Sequence, residues 1–119
     1  MYQSEQLKLR TKQFALRIIK LYRSLPRTEE SRVVGKQLLR SATSVAANYR
    51  ATCRARSRAE FIAKMGTVVE EIDETTLWLE MLIEADIMSE KRMKNLVDEA
   101  NELLAIFAAS HHTAKLRSR

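Results

Sequence analysis

The residues best suited to metal or covalent chemistry are few, so their spacing is weighed first. Glu70, Glu71, Asp73 and Glu74 form a tight acidic group. A helix at about 100° per residue places Glu70, Asp73 and Glu74 on one face. A ferritin-like di-iron site in a helical bundle needs Glu-x-x-His on two helices and a Glu from each of the others. The chain has two histidines, His111 and His112, adjacent to one another near its end. The acids therefore read as a solvated or salt-bridged face, and no metal is expected. A serine nucleophile needs a base within reach, and this histidine pair falls in a segment expected to fray. Cys53 lies on an apolar stripe, where a small buried hydrophobe is expected rather than a nucleophile. Gly35 and Gly66 stand alone inside helical patterns, so there is no Gly-rich phosphate loop; both are expected to permit close helix packing. No catalysis, no cofactor and no small-molecule substrate are expected.

Binding chemistry is better represented. Arg32, Lys36, Arg40, Arg50, Arg54, Arg56 and Arg58 gather in a short stretch, the first five on one side of a helix. The net charge of +6 conceals a strong asymmetry. Residues 1–27 carry seven bases against one acid, and residues 28–58 seven against two. Residues 59–88 reverse this, with one base against eight acids. Dense positive charge attracts RNA or DNA through phosphate contacts, with strong salt dependence. Aromatic residues for base stacking are scarce, so base readout is not expected. The alternative is a scaffold whose basic and acidic helices pair between subunits or with a protein partner.

The elements that must position these groups are helical. Two Gly and one Pro in 119 residues leave almost no turn chemistry for hairpins. A first helix spans residues 4–25 on the stripe Leu7, Phe14, Ile18, Leu21 and Leu25, and Pro26 ends it. Thr28 is expected to cap a second helix over 29–54, with Glu29 and Glu30 in its first turn. Ser57-Arg-Ala-Glu60 is a capping-box pattern that opens a third helix over 58–85. There Phe61, Met65, Val68, Ile72, Thr75, Leu79 and Leu82 keep the 4-3 spacing of a bundle seam. Trp78 lies off that seam, either meeting a neighbouring chain or sitting at a partly covered boundary. Ser89 can cap a fourth helix, which turns Met93, Leu96, Val97, Ala100, Leu103, Leu104 and Phe107 inward. Short connections make this an all-α, antiparallel up-down-up-down four-helix bundle. It forms one domain over residues 1–110, followed by a polar basic tail over 111–119.

The second helix has three faces. Val34, Leu38, Ala42, Val45, Tyr49 and Cys53 make the apolar stripe, and the arginines make the far side. Between them run Gln37, Ser41, Ser44 and Asn48. Small polar groups in a row suit a close helix or subunit contact, or else mark polar boundary positions. No secretory signal and no apolar run of membrane-spanning length are visible. A single Cys fits a reducing compartment, and a cytoplasmic location is expected.

Gln37, Arg40, Ser41, Ser44 and Asn48, followed by a basic turn and Ser57, Glu60 and Phe61, resemble a known pattern. It belongs to the small four-helix-bundle proteins encoded within intervening sequences of bacterial 23S ribosomal RNA genes. The resemblance covers roughly residues 10–110. Many members carry a Glu-Gly three residues after the Asn; here Ala51-Thr52 stands in its place, so no role of that Glu is carried over. The resemblance implies a homopentameric ring, in which the Ser/Asn row would be a packing face. It also implies kinship with the accessory protein of diversity-generating retroelements, a basic bundle that partners a reverse transcriptase and its RNA.

Overall fold

The computed structural model describes residues 2–118, with side chains from residue 3 onward. Four helices follow one another: α1 (Tyr2–Ser24), α2 (Glu29–Thr52), α3 (Arg58–Glu84) and α4 (Glu90–Arg117). The Cα envelope measures 47 × 23 × 22 Å. At about 1.5 Å per residue, the 28 residues of α4 alone account for most of that length. α1 packs on α2 and α4, and α3 packs on α2 and α4, while the diagonal pairs lie farther apart and meet only through side chains in the core, as Tyr49 of α2 meets Phe107 of α4. The α2–α3 seam is the most extensive of the four and the α1–α4 seam the sparsest.

The helix starts follow the local chemistry read from the sequence. Thr28, Ser57 and Ser89 take extended backbone angles, and each side-chain oxygen accepts from the amide three residues on. Only half of the capping box forms. Ser57 accepts from the Glu60 amide at 3.0 Å, while the Glu60 carboxylate turns towards Lys64. The α3–α4 turn closes with Asp86 at φ 59°, the left-handed region, and with Ile87 donating to the Leu82 carbonyl at 3.0 Å. This is the Schellman arrangement, with Asp where glycine is usual.

Packing the apolar stripes together makes one core. Phe14, Ile18, Leu38, Val45, Val68, Ile72, Leu79, Leu82, Met93, Leu103 and Phe107 are almost completely buried. Thr75, in the α3 seam, is buried too, 2.9 Å from Ser41 Oγ and 2.8 Å from the Glu71 carbonyl. Both glycines lie at close approaches. A Cβ on Gly35 would come 2.7 Å from Leu25 Cδ1, and one on Gly66 3.3 Å from His111 Nε2.

Two expectations are corrected. Residues 111–117 are not a frayed segment but the last turns of α4, and His111 lies in ordered helix beside Gly66. His111 and Ala114 are half-buried, Arg58 Nη1 donates to the Arg117 carbonyl at 2.9 Å, and Lys115 and Arg117 favour the helix C-terminus electrostatically. Cys53 is exposed rather than buried. α2 ends at Thr52, so Cys53 is its C-cap and lies beyond the packed part of the stripe. Among the described residues no helix is long and apolar enough to cross a membrane.

Candidate nucleic-acid interface

All seven basic residues singled out in the sequence are exposed, but they do not form one site. Arg32 and Lys36 lie in the first half of α2. Arg50 is some 14 residues further on, about 20 Å at the helical rise. Arg54, Arg56 and Arg58 follow in and just after the α2–α3 turn. The ridge is thus divided into two ends with Arg40 between them.

Arg40 is neutralised within the protomer. Its Nη1 lies 3.1 Å from Glu71 and its Nη2 2.6 Å from Glu74, which ties α2 to α3. Donating hydrogen bonds to these two carboxylates raises the guanidinium's affinity for its proton. In return Arg40, helped less by the Trp78 indole, holds the Glu74 carboxyl below the ordinary carboxylate range. Trp78 is half-buried, its Nε1 3.3 Å from Glu74. The acids of α3 therefore divide. Glu71 and Glu74 clamp α2, while Glu70 and Asp73 remain exposed without an ion-pair partner among the described residues. There too, no cluster of three or more His, Cys, Asp or Glu side chains is placed to hold a metal.

The small polar row divides as well. Ser41 is buried against Thr75 of α3, which makes it a helix–helix contact inside the bundle. Ser44 and Asn48 are half-buried and pair with each other at 2.8 Å, and Gln37 is exposed. Of the row, Ser41 is the member that meets α3.

At the end of the molecule where α2 leads into α3, positive charge is dense. Arg50, Arg54, Arg56 and Arg58 are joined there by Lys115 and Arg117 of α4, all exposed and none in an ion pair among the described residues. Sequence reasoning missed the last two because residues 111–119 read as a tail. The apolar step Phe107–Ala114, two helical turns, was the available signal. A cleft of about 780 Å³ opens at the same end, with Leu7, Met65 and Phe107 in its wall and Cys53 and Arg117 among its polar lining. Tyr49 also borders it. Its ring lies 5.0 Å from that of Phe107, and burial, with a lesser contribution from Cys53, makes its hydroxyl harder to ionise.

Residues 5–109 match a family model described as 23S rRNA-intervening sequence protein. A similar solved structure is a protein of unknown function from the S23 ribosomal protein family of Bacteroides thetaiotaomicron. It is 32% identical, covers 92% of this chain and 97% of that one, and superposes with a TM-score of 0.84. No curated protein matches the chain.

Proposed function

This chain belongs to the 23S rRNA-intervening sequence protein family, and from that premise we propose that it is a non-enzymatic, cytoplasmic, homo-oligomeric bundle that binds structured RNA or DNA through phosphates. The observation that carries this reading is the exposed group Arg50, Arg54, Arg56 and Arg58 at one end of the bundle, with Lys115 and Arg117 beside it. Exposed guanidinium groups without carboxylate partners release counterions from a phosphate backbone on contact. The bundle is up-down-up-down and antiparallel in this reading. Arg58 beside Arg117, Gly66 beside His111, and Ser41 beside Thr75 all support that course. The proposed oligomer is a ring of five copies, a number suggested by resemblance to the family.

A second reading, an assembly scaffold, is favoured by one observation. Glu70 and Asp73 of the acidic helix stay exposed without an ion-pair partner among the described residues, which leaves acidic charge for the basic surface of another copy or of a protein partner. The experiment that separates the two is binding of an RNA hairpin and of duplex DNA across a salt series, with mass measured in the same buffers. Steep weakening with salt is expected, and the Arg54→Ala/Arg56→Ala/Arg58→Ala variant should flatten the DNA salt slope by about 3, one unit per lost phosphate contact. An intact oligomer that binds neither nucleic acid at low salt overturns the polyanion reading.

A further inference from the structure

Besides the single side chains Val33 and Leu116, two surfaces each leave a pair of large apolar side chains in the open, and they are opposite in charge. The first is a groove between α1 and α2, about 460 Å³ in volume. Leu9 and Leu16, 54% and 55% exposed, stand along it, and Ala46 and Ala47 line its α2 side. Lys8, Lys12 and Arg50 border it. The second is the outer face of α3, where Leu77 and Met81 are 47% and 41% exposed. At 100° per residue, Glu70, Asp73, Glu80 and Glu84 share that face, all exposed and none in an ion pair among the described residues. Isolated exposed leucines need no explanation on a soluble protein. Here the groove carries Lys12 and Arg50 beyond the Lys8–Glu5 ion pair on its rim, the α3 face carries acids, and the two frames are complementary.

We propose that the groove receives the α3 ridge of a second copy of this chain, with Leu77 and Met81 seated between Leu9 and Leu16. Asp73 and Glu70 of that copy then face Lys12 and Arg50. The dimensions agree. Leu9 to Leu16 spans about 10 Å of helix and Asp73 to Met81 about 12 Å. α3 lies diagonally across the bundle from α1, so groove and ridge lie on different sides of the bundle and one copy offers both at once. The contact is therefore heterologous, and it propagates head to tail until a ring closes. This assignment rests on the homo-oligomeric reading above and adds to it the two faces that meet. It also places Arg50 inside the assembly and leaves Arg54, Arg56 and Arg58 to the polyanion.

The test uses two interface variants of the full chain. Leu9→Glu/Leu16→Glu spoils the groove, and Leu77→Lys/Met81→Lys spoils the ridge. Native mass spectrometry and light scattering read the mass, and circular dichroism confirms that each variant folds. Should either fail to fold, Lys12→Glu and Asp73→Lys replace them as groove and ridge variants. Each variant alone is expected to be monomeric. Mixed in equal amounts they should yield a dimer and nothing larger, because one intact groove and one intact ridge remain. An oligomeric wild type whose variants keep their mass overturns this interface and leaves the oligomer standing. Monomeric variants whose mixture stays monomeric also overturn it, since groove and ridge are then not partners. A monomeric wild type overturns the oligomeric reading itself.

Discussion

Arg40 differs from the rest of the basic ridge in having its charge balanced inside the protomer, and this makes it a pH-sensitive tie between α2 and α3. Glu74 sits below its ordinary value of 4.5 because of that tie. A depressed carboxyl contributes stability that is present above the ordinary value and lost as pH falls through the depressed one. Arg40→Gln should therefore cost about 0.5 kcal/mol at pH 7, the modest size being set by a half-exposed guanidinium. The difference from wild type in urea midpoint should shrink as the pH is lowered below 4.5, and it should also shrink in high salt. A second residue-scale prediction concerns Asp86, whose positive φ penalises any Cβ. Asp86→Gly should stabilise the fold by about 0.5–1 kcal/mol, read as a higher denaturation midpoint. At this scale the sequence is legible only where the partner is near in the chain. Ser57 and Glu60 declare a cap three residues apart. That Arg40 meets Glu71 and Glu74 depends on the relative height of two helices, which no local pattern encodes.

The helices themselves were legible because each repeats a 3.6-residue signal several times and is bounded by a hydroxyl cap or by proline. The α3 seam residues Met65 to Leu82 are all buried, as their 4-3 spacing implies. The end of α4 was not legible. His111, His112, Thr113 and Lys115 are polar enough to hide the helical face that Phe107 and Ala114 continue. Their order comes from the first turns of α3, which lie far away in sequence. Cys53 misled for the converse reason, since its stripe outlasts the helix that would bury it. A chain ending at Ser110 should therefore lose the helical circular-dichroism signal of about two turns. It should also lose part of its polyanion affinity, because Lys115 and Arg117 go with those turns.

On the scale of the whole molecule, composition and charge spoke more clearly about class than about site. The +6 balance and its reversal in residues 59–88 were plain from the sequence. Whether those charges would meet or stay apart was not, because it depends on which helices are neighbours. The bundle answers in two ways, joining Arg40 to α3 and leaving the arginines of the α2–α3 turn open to solvent.

The sparse α1–α4 seam bears on how the chain folds and breathes. α1–α2, α2–α3 and α3–α4 are sequence neighbours, so most packing forms between segments already close along the chain. Such low contact order belongs to fast folders, in the microsecond to millisecond range. The α1–α4 seam joins the two ends of the chain and is held in part by Arg10, whose guanidinium lies 2.8 Å from Glu99 and 3.1 Å from Glu102. α1 is thus the natural first unit to open. In native-state hydrogen exchange its amides should lose protection before those of α2 and α3. Arg10→Gln should speed exchange in α1 severalfold while leaving the slowest amides of the α2–α3 pair unchanged. A bundle so built meets its surroundings with one helix on a latch and three on a hinge.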